Sequence, residues 1–225
     1  MGLRDPVSSA SHLLVAVWAC FALAIMVRAC KAGPAQRAGV AVFGGSLVLL
    51  YLASGTFHGL PLASGSDDFR LFQRLDQSAI YLVIAGTNTP LMVTFLRGRQ
   101  RVMLLATIWI VAALAISALW LLPKVNHAVI VSACMAMGWL GMWPLRTYHR
   151  AVGARAMGLL WLGCFLYTAA ALCELTEWPV LLVEPFRFGF HETFHIFCAA
   201  ASATFFLFIL RYVIPFRPDA WRKTC

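Results

Sequence analysis

Charge is scarce in this chain. Of its 225 residues, 12% are Asp, Glu, Lys or Arg, about half the share of an ordinary soluble domain. Acids are fewest, nine against 18 bases. The seven cysteines include no Cys-x-x-Cys pair and are odd in number. Cys20, Cys134, Cys164, Cys173 and Cys198 lie in or beside apolar runs, so they read as small packing residues rather than disulfides or thiolate metal ligands. There is no internal repeat, no low-complexity tract and no segment polar enough to form a soluble domain. No basic patch is interleaved with aromatics, so the net charge of +9 does not point to nucleic acid. What fills the chain is apolar: 61% hydrophobic residues and a mean hydropathy of +0.80. A soluble core of this size could not hide that much apolar surface, so the chain reads as an integral membrane protein.

Seven runs are long enough to cross roughly 30 Å of hydrocarbon at about 20 residues each. They cover 11–28, 39–58, 76–96, 102–122, 126–144, 154–173 and 193–214, separated by Gly33-Pro34, Gly59 to Gly65, Arg97-Gly98-Arg99, Pro123-Lys124, Pro144 to Arg146 and Trp178-Pro179. The expected fold class is therefore all-α: a seven-transmembrane-helix bundle forming one domain over 1–225. The first run has neither a basic n-region nor a small-residue cleavage site before Lys31, so it reads as a mature helix and not a signal peptide.

With seven spans, the N-terminus and the loops after spans two, four and six share one membrane face. That face holds Arg4, Arg70, Arg74, Lys124 and Arg187, and the opposite face holds the other 13 of the 18 bases. The positive-inside rule places the C-terminus in the cytoplasm and the N-terminus outside. Eight of the nine acids sit on the N-terminal face, Asp219 being the exception. The basic excess fits contact with anionic lipid.

Ionisable residues near hydrocarbon mark function by default. His191 and His195 are four apart at the start of the last run, on one helical face, a spacing that suits a metal. Ser54 and His58, four apart again, close the second run, and Asp76 opens the third. An even span ends, and an odd span begins, on the same face, so all of these groups converge at one depth. Three neutral imidazoles from His58, His191 and His195 plus a water complete a tetrahedral zinc site with an open position. Asp76 can then accept a hydrogen bond from that water or from a ligating histidine.

Plainer readings compete. Asp76 suits a helix N-cap, and Ser54 suits a bond back to a carbonyl one turn earlier. A single interfacial histidine suits an amphipathic anchor. His191-Glu192-Thr193-Phe194-His195 also matches the zincin pattern, in which Glu192 would be a general base, but no His or Glu follows His195 to serve as a third ligand. His149 reads as solvated in a basic loop, and His127 as a surface residue more than a lining one.

Ser54-Gly-Thr-Phe-His58, then Leu75-Asp76-Gln-Ser78 with Ala85-Gly86-Thr87-Asn88-Thr89-Pro90, then His191-Glu-Thr-Phe-His195 resemble the hemolysin III family, the bacterial branch of the progestin and adipoQ receptor proteins. The resemblance runs from His12 to the last span. It implies a seven-helix fold, zinc held at His58, His191 and His195, a water-contacting aspartate at Asp76, and a serine near the metal at Ser54. It implies kinship with alkaline ceramidases, which hydrolyse lipid amides, and with proteins described as pore-forming hemolysins or hormone receptors. The family's N-terminal motif, a Glu-rich start followed by N-x3-H, is met by Asp5 and His12, but Ser8 replaces the asparagine. The receptor branch also has a cytoplasmic N-terminus, against the charge bias of this chain.

The expected function is hydrolysis of a lipid amide or ester, with zinc at the three histidines, Asp76 orienting water and Ser54 bonding substrate or water. The partners expected are membrane lipids and a lipid-like substrate. The alternatives are a membrane-perturbing hemolysin and a lipid receptor with structural zinc. The location expected is the bacterial inner membrane.

Overall fold

A computed structural model of the chain describes residues 3–181 and 188–217. Glu184, Arg187, Asp219, Arg222 and Lys223, which enter the charge balance above, lie outside the described residues. All regular elements among the described residues are helices: α1 (Pro6–Ala29), α2 (Pro34–Gly59), α3 (Asp67–Phe95), α4 (Gly98–Leu121), α5 (His127–Leu140), α6 (Leu145–Thr176) and α7 (Phe190–Phe208), the last continued by a π-helical turn over Ile209–Val213.

Local chemistry explains the boundaries. Pro6 and Pro34 open α1 and α2, where the missing N–H is harmless. The Ser66 hydroxyl caps α3 by accepting the Phe69 N–H at 3.1 Å, and the Asn126 side chain caps α5 through Ala128 N–H at 2.8 Å. Helix α3 starts nine residues before the expected Asp76. Its first turns carry Asp67, Asp68, Arg70 and Arg74, a polar stretch that hydropathy alone reads as loop. An Arg70–Asp67 ion pair at 2.5 Å stabilises that stretch. Asp76 consequently lies inside the helix, and the N-cap reading fails.

Helix α5 is shorter than expected, because a turn at 141–144 ending in Pro144 stops it. Its 14 residues rise about 21 Å, less than the hydrocarbon thickness. Helix α6 begins earlier than expected and breaks at Gly153, whose φ of 78° belongs to the left-handed region open to glycine. Among the described residues, six helices are long and apolar enough to cross a membrane.

The bundle is apolar outside as well as inside. Leu14, Phe21 and Leu121 are 71%, 66% and 80% exposed, while the interior packs large side chains such as Phe43, Leu47 and Met92 together with buried Ser, Thr and His. Helix α3 is the most enclosed and α4 the least. Polar side chains along α3 bond within their own helix: Thr87 Oγ1 to Val83 O at 2.7 Å, Asn88 Nδ2 to Ile84 O at 2.9 Å and Thr89 Oγ1 to Ala85 O at 2.8 Å. These bonds are how a polar group is tolerated where water is absent.

Contacts between helix ends fix the path. At one end Asp5 N–H donates to His58 O (3.0 Å), Arg74 to Leu122 O (3.4 Å), and His127 meets Glu174 at 3.4 Å. At the other end Gln36 donates to Val213 O, and Phe95 packs on Tyr148 and Phe216. The first end therefore collects the starts of α1, α3, α5 and α7 and the ends of α2, α4 and α6.

Candidate metal centre

Besides His127 at the start of α5, four imidazoles gather at that end of the bundle. His58 comes from the last turn of α2, His191 and His195 from the first turns of α7, and His12 from α1. One ligand atom from each of His58, His191 and His195 lies within 4.8 Å of the others. His58 and His195 are buried and His191 partly so.

Two carboxylates determine how these rings face. His58 Nδ1–H donates to Asp5 Oδ2 at 3.1 Å, and His191 Nδ1–H donates to Glu174 Oε2 at 3.1 Å. An ionised carboxylate only accepts, so the proton in each pair belongs to the imidazole. Burial works against ionisation of Asp5, but the hydrogen bonds from His58 and Arg4 outweigh it and hold the carboxyl below its ordinary range. Arg4 donates to Asp5 at 2.9 Å and lies 4.1 Å over the Phe57 ring. Its other nitrogen sits 3.5 Å from His58 Nδ1, at the limit of a bond, so the shorter carboxylate contact sets the tautomer.

With both Nδ1 positions protonated, neutral His58 and His191 carry lone pairs on Nε2. Those two nitrogens face each other at 3.1 Å. Two lone pairs at that distance repel unless a cation lies between them, either a proton or a metal ion. The third ring supplies further donor capacity, since His195 Nδ1 is buried with no partner, a state that costs about 1–3 kcal/mol if left unmet. The donor set fits a metal of imidazole preference such as zinc.

Around this centre the remaining groups take defined places. The Ser54 hydroxyl stands close to the Asp76 carboxyl group. Both line a cavity of about 270 Å³ that also reaches the three histidines. The cavity continues between α3, α5, α6 and α7 past Ile80, Leu91, Met142 and Phe205, an apolar channel of lipid character. His12 stacks on His195 with ring centroids 3.7 Å apart and meets Tyr51 edge-on at 5.1 Å.

Glu192 is engaged elsewhere. One carboxylate oxygen accepts Gly189 N–H at 2.8 Å, capping α7, and the other accepts the Ser8 hydroxyl at 3.0 Å. The zincin reading of His191-Glu192-x-x-His195 therefore loses its base, and Ser8 bonds helix α1 to the start of α7.

A family model described as "Haemolysin-III related" matches residues 3–206. The chain belongs to the hemolysin III family. It is similar to "Hemolysin-3" of Bacillus cereus, 33% identical over 218 residues that cover 95% of this chain and 94% of that protein. It is also similar to "Hemolysin-3 homolog" of Bacillus subtilis (strain 168), 29% identical over 175 residues, 77% of this chain and 76% of the relative. This hemolysin III protein is an integral membrane protein, with membrane-length apolar helices arranged as above.

In this hemolysin III chain the structure brings together every residue singled out for the site: Ser54, His58, Asp76, His191 and His195 all line one cavity. His149 is exposed near the start of α6, at the opposite end. His127 is exposed, in keeping with the surface reading, and it also takes part in the cavity lining. Its Nε2 lies 3.4 Å from Glu174 Oε1. Glu174 is the site residue that sequence reasoning missed. The available signal was a lone acid following Ala169-Ala170-Ala171-Leu172-Cys173, on the same membrane face as the histidines.

Proposed function

We propose that this protein is a zinc-dependent hydrolase of lipid amides or esters, acting from the bacterial inner membrane. The observation that carries the reading is the pair of Nε2 atoms held face to face at 3.1 Å by carboxylates on their opposite nitrogens, beside a largely apolar cavity. Zinc bound by His58, His191 and His195 would supply Lewis-acid polarisation of a carbonyl and bring the pKa of water to about 7. Asp76 would take a proton from the attacking water and return it to the leaving nitrogen or oxygen. Ser54, close to Asp76, would orient that carboxylate. The apolar walls would seat an acyl chain, leaving the amide or ester at the polar end.

We take α5 with its following turn as the seventh crossing, because the helix ends alternate along the whole chain. The charge bias would then put the histidine end outside and the C-terminus in the cytoplasm.

Metal content of the detergent-purified chain is the first test. The expectation is about one zinc per wild-type chain, as a three-histidine open site requires, and loss of that zinc in His191→Ala plus His195→Ala. Ceramide or a comparable N-acyl lipid should then be turned over by wild type and not by Asp76→Ala. A folded, metal-free wild type would overturn the proposal. The names of the two Bacillus relatives carry a second reading, cytolysis. Lysis of liposomes by wild type and His191→Ala alike, with no lipid turnover, would favour it.

A further inference from the structure

At the opposite end from the histidines, the first two turns of α6 carry Arg146, His149 and Arg150. Tyr148 on the same stretch is fully buried against Phe95, so the helix is rotated to turn these three side chains outward together. None of the three makes a side-chain hydrogen bond or ion pair among the described residues. The sequence offers no local counter-charge either, since no acid occurs between Asp76 and Glu174.

Immediately beyond, Gly153 takes a φ of 78° and turns the chain, so the helix resumes in a new direction. The corner leaves a pocket of about 290 Å³ lined by Leu145, Arg146, His149, Arg150, Met157 and Trp161. Its rim is cationic and its floor is apolar. Met157 is buried, and Trp161 is held by Phe165, with ring centroids 5.9 Å apart. Unpartnered guanidinium groups in a concave site select phosphate, which they bind through charge-assisted bonds. An apolar floor one turn deeper suits the glycerol and first methylenes below a headgroup, and basic pockets at the cytoplasmic side of helical membrane proteins have this use.

We propose that this corner of α6 is a binding site for a phosphate-bearing anionic group, supplied by the headgroup of an anionic phospholipid. It is separate from the histidine centre, and its occupancy would tie the kinked α6 to the basic face of the bundle.

The test is binding of dioleoylphosphatidylglycerol to the full detergent-solubilised chain, read as lipid-bound mass and as the shift in thermal unfolding. Dioleoylphosphatidylcholine and inorganic phosphate are the comparison probes. Arg146→Gln plus Arg150→Gln should weaken phosphatidylglycerol binding about thirtyfold, from the usual contribution of two basic residues near an anionic headgroup. Both positions are exposed, and unfolding without lipid checks that the variant folds. Arg99→Gln plus Arg101→Gln, near the start of α4, should leave binding unchanged. Equal loss in both double variants would reduce the effect to general surface charge and overturn the site, as would phosphatidylcholine binding as well as phosphatidylglycerol. Inorganic phosphate protecting as well as the lipid would overturn the headgroup as source and assign the pocket to the free anion.

Discussion

His58 and His191 both have their Nδ1 protons committed to carboxylates, Asp5 and Glu174. Carboxylate partners of this kind orient a ligand ring and raise its basicity, and their loss typically costs ten- to a hundredfold in metal affinity. Asp5→Ala and Glu174→Ala should each weaken zinc binding by about that factor in a chelator competition, with the helical content unchanged. Unchanged affinity in both would mean that the rings are positioned by packing alone. Glu192→Gln makes the opposite case: its oxygens serve a cap and a serine hydroxyl, so zinc content and turnover should survive. A loss of about 10²–10⁴ in rate would restore it as a general base. The three histidines and Asp76 were legible in the sequence because helical spacing and alternating span ends are local rules. Glu174 was not, since it reaches His191 across 17 residues of chain, and His12, named through its motif, meets His195 only through packing of α1 on α7.

Small residues hold helix α1 against the bundle. Ala16, Ala19 and Ala22 are buried to within 2% of full enclosure, and across the α1–α2 seam a Cβ on Gly44 would stand 2.9 Å from Leu23 Cβ and 3.1 Å from its Cα. Small-residue seams of this kind let helix backbones approach where no hydrophobic effect separates protein from lipid. Gly44→Val should therefore push α1 off α2 and cost about 1–3 kcal/mol as overpacking, seen as a lower unfolding temperature in detergent. Because α1 brings Asp5, Ser8 and His12 to the centre, the same variant should hold zinc less tightly. Normal stability and normal zinc binding together would show that the seam yields without strain. At this scale hydropathy gave the existence of each helix but not its ends. The polar start of α3 and the break at Gly153 depend on a cap and a backbone dihedral, which hydropathy does not sense.

For the molecule as a whole, orientation decides which leaflet supplies the substrate. The histidine centre and the basic pocket of α6 lie at opposite ends, so a single measurement places both. With seven crossings, 13 of 18 bases would fall on the face that also holds the C-terminus, and basic residues close to span ends resist translocation. Resemblance to the receptor branch implies the reverse orientation, with the N-terminus inside. The charges act on this chain during its own insertion, so they should prevail: green fluorescent protein fused after Cys225 should fluoresce, and alkaline phosphatase at the same position should be inactive. The histidine centre would then open toward the outer leaflet and the α6 pocket toward the inner, where anionic headgroups face a cytoplasmic basic surface. Active phosphatase at the C-terminus would invert this arrangement. The centre would then draw its lipid from the cytoplasmic leaflet, and the excess of arginine on the outer face would need a cause other than insertion.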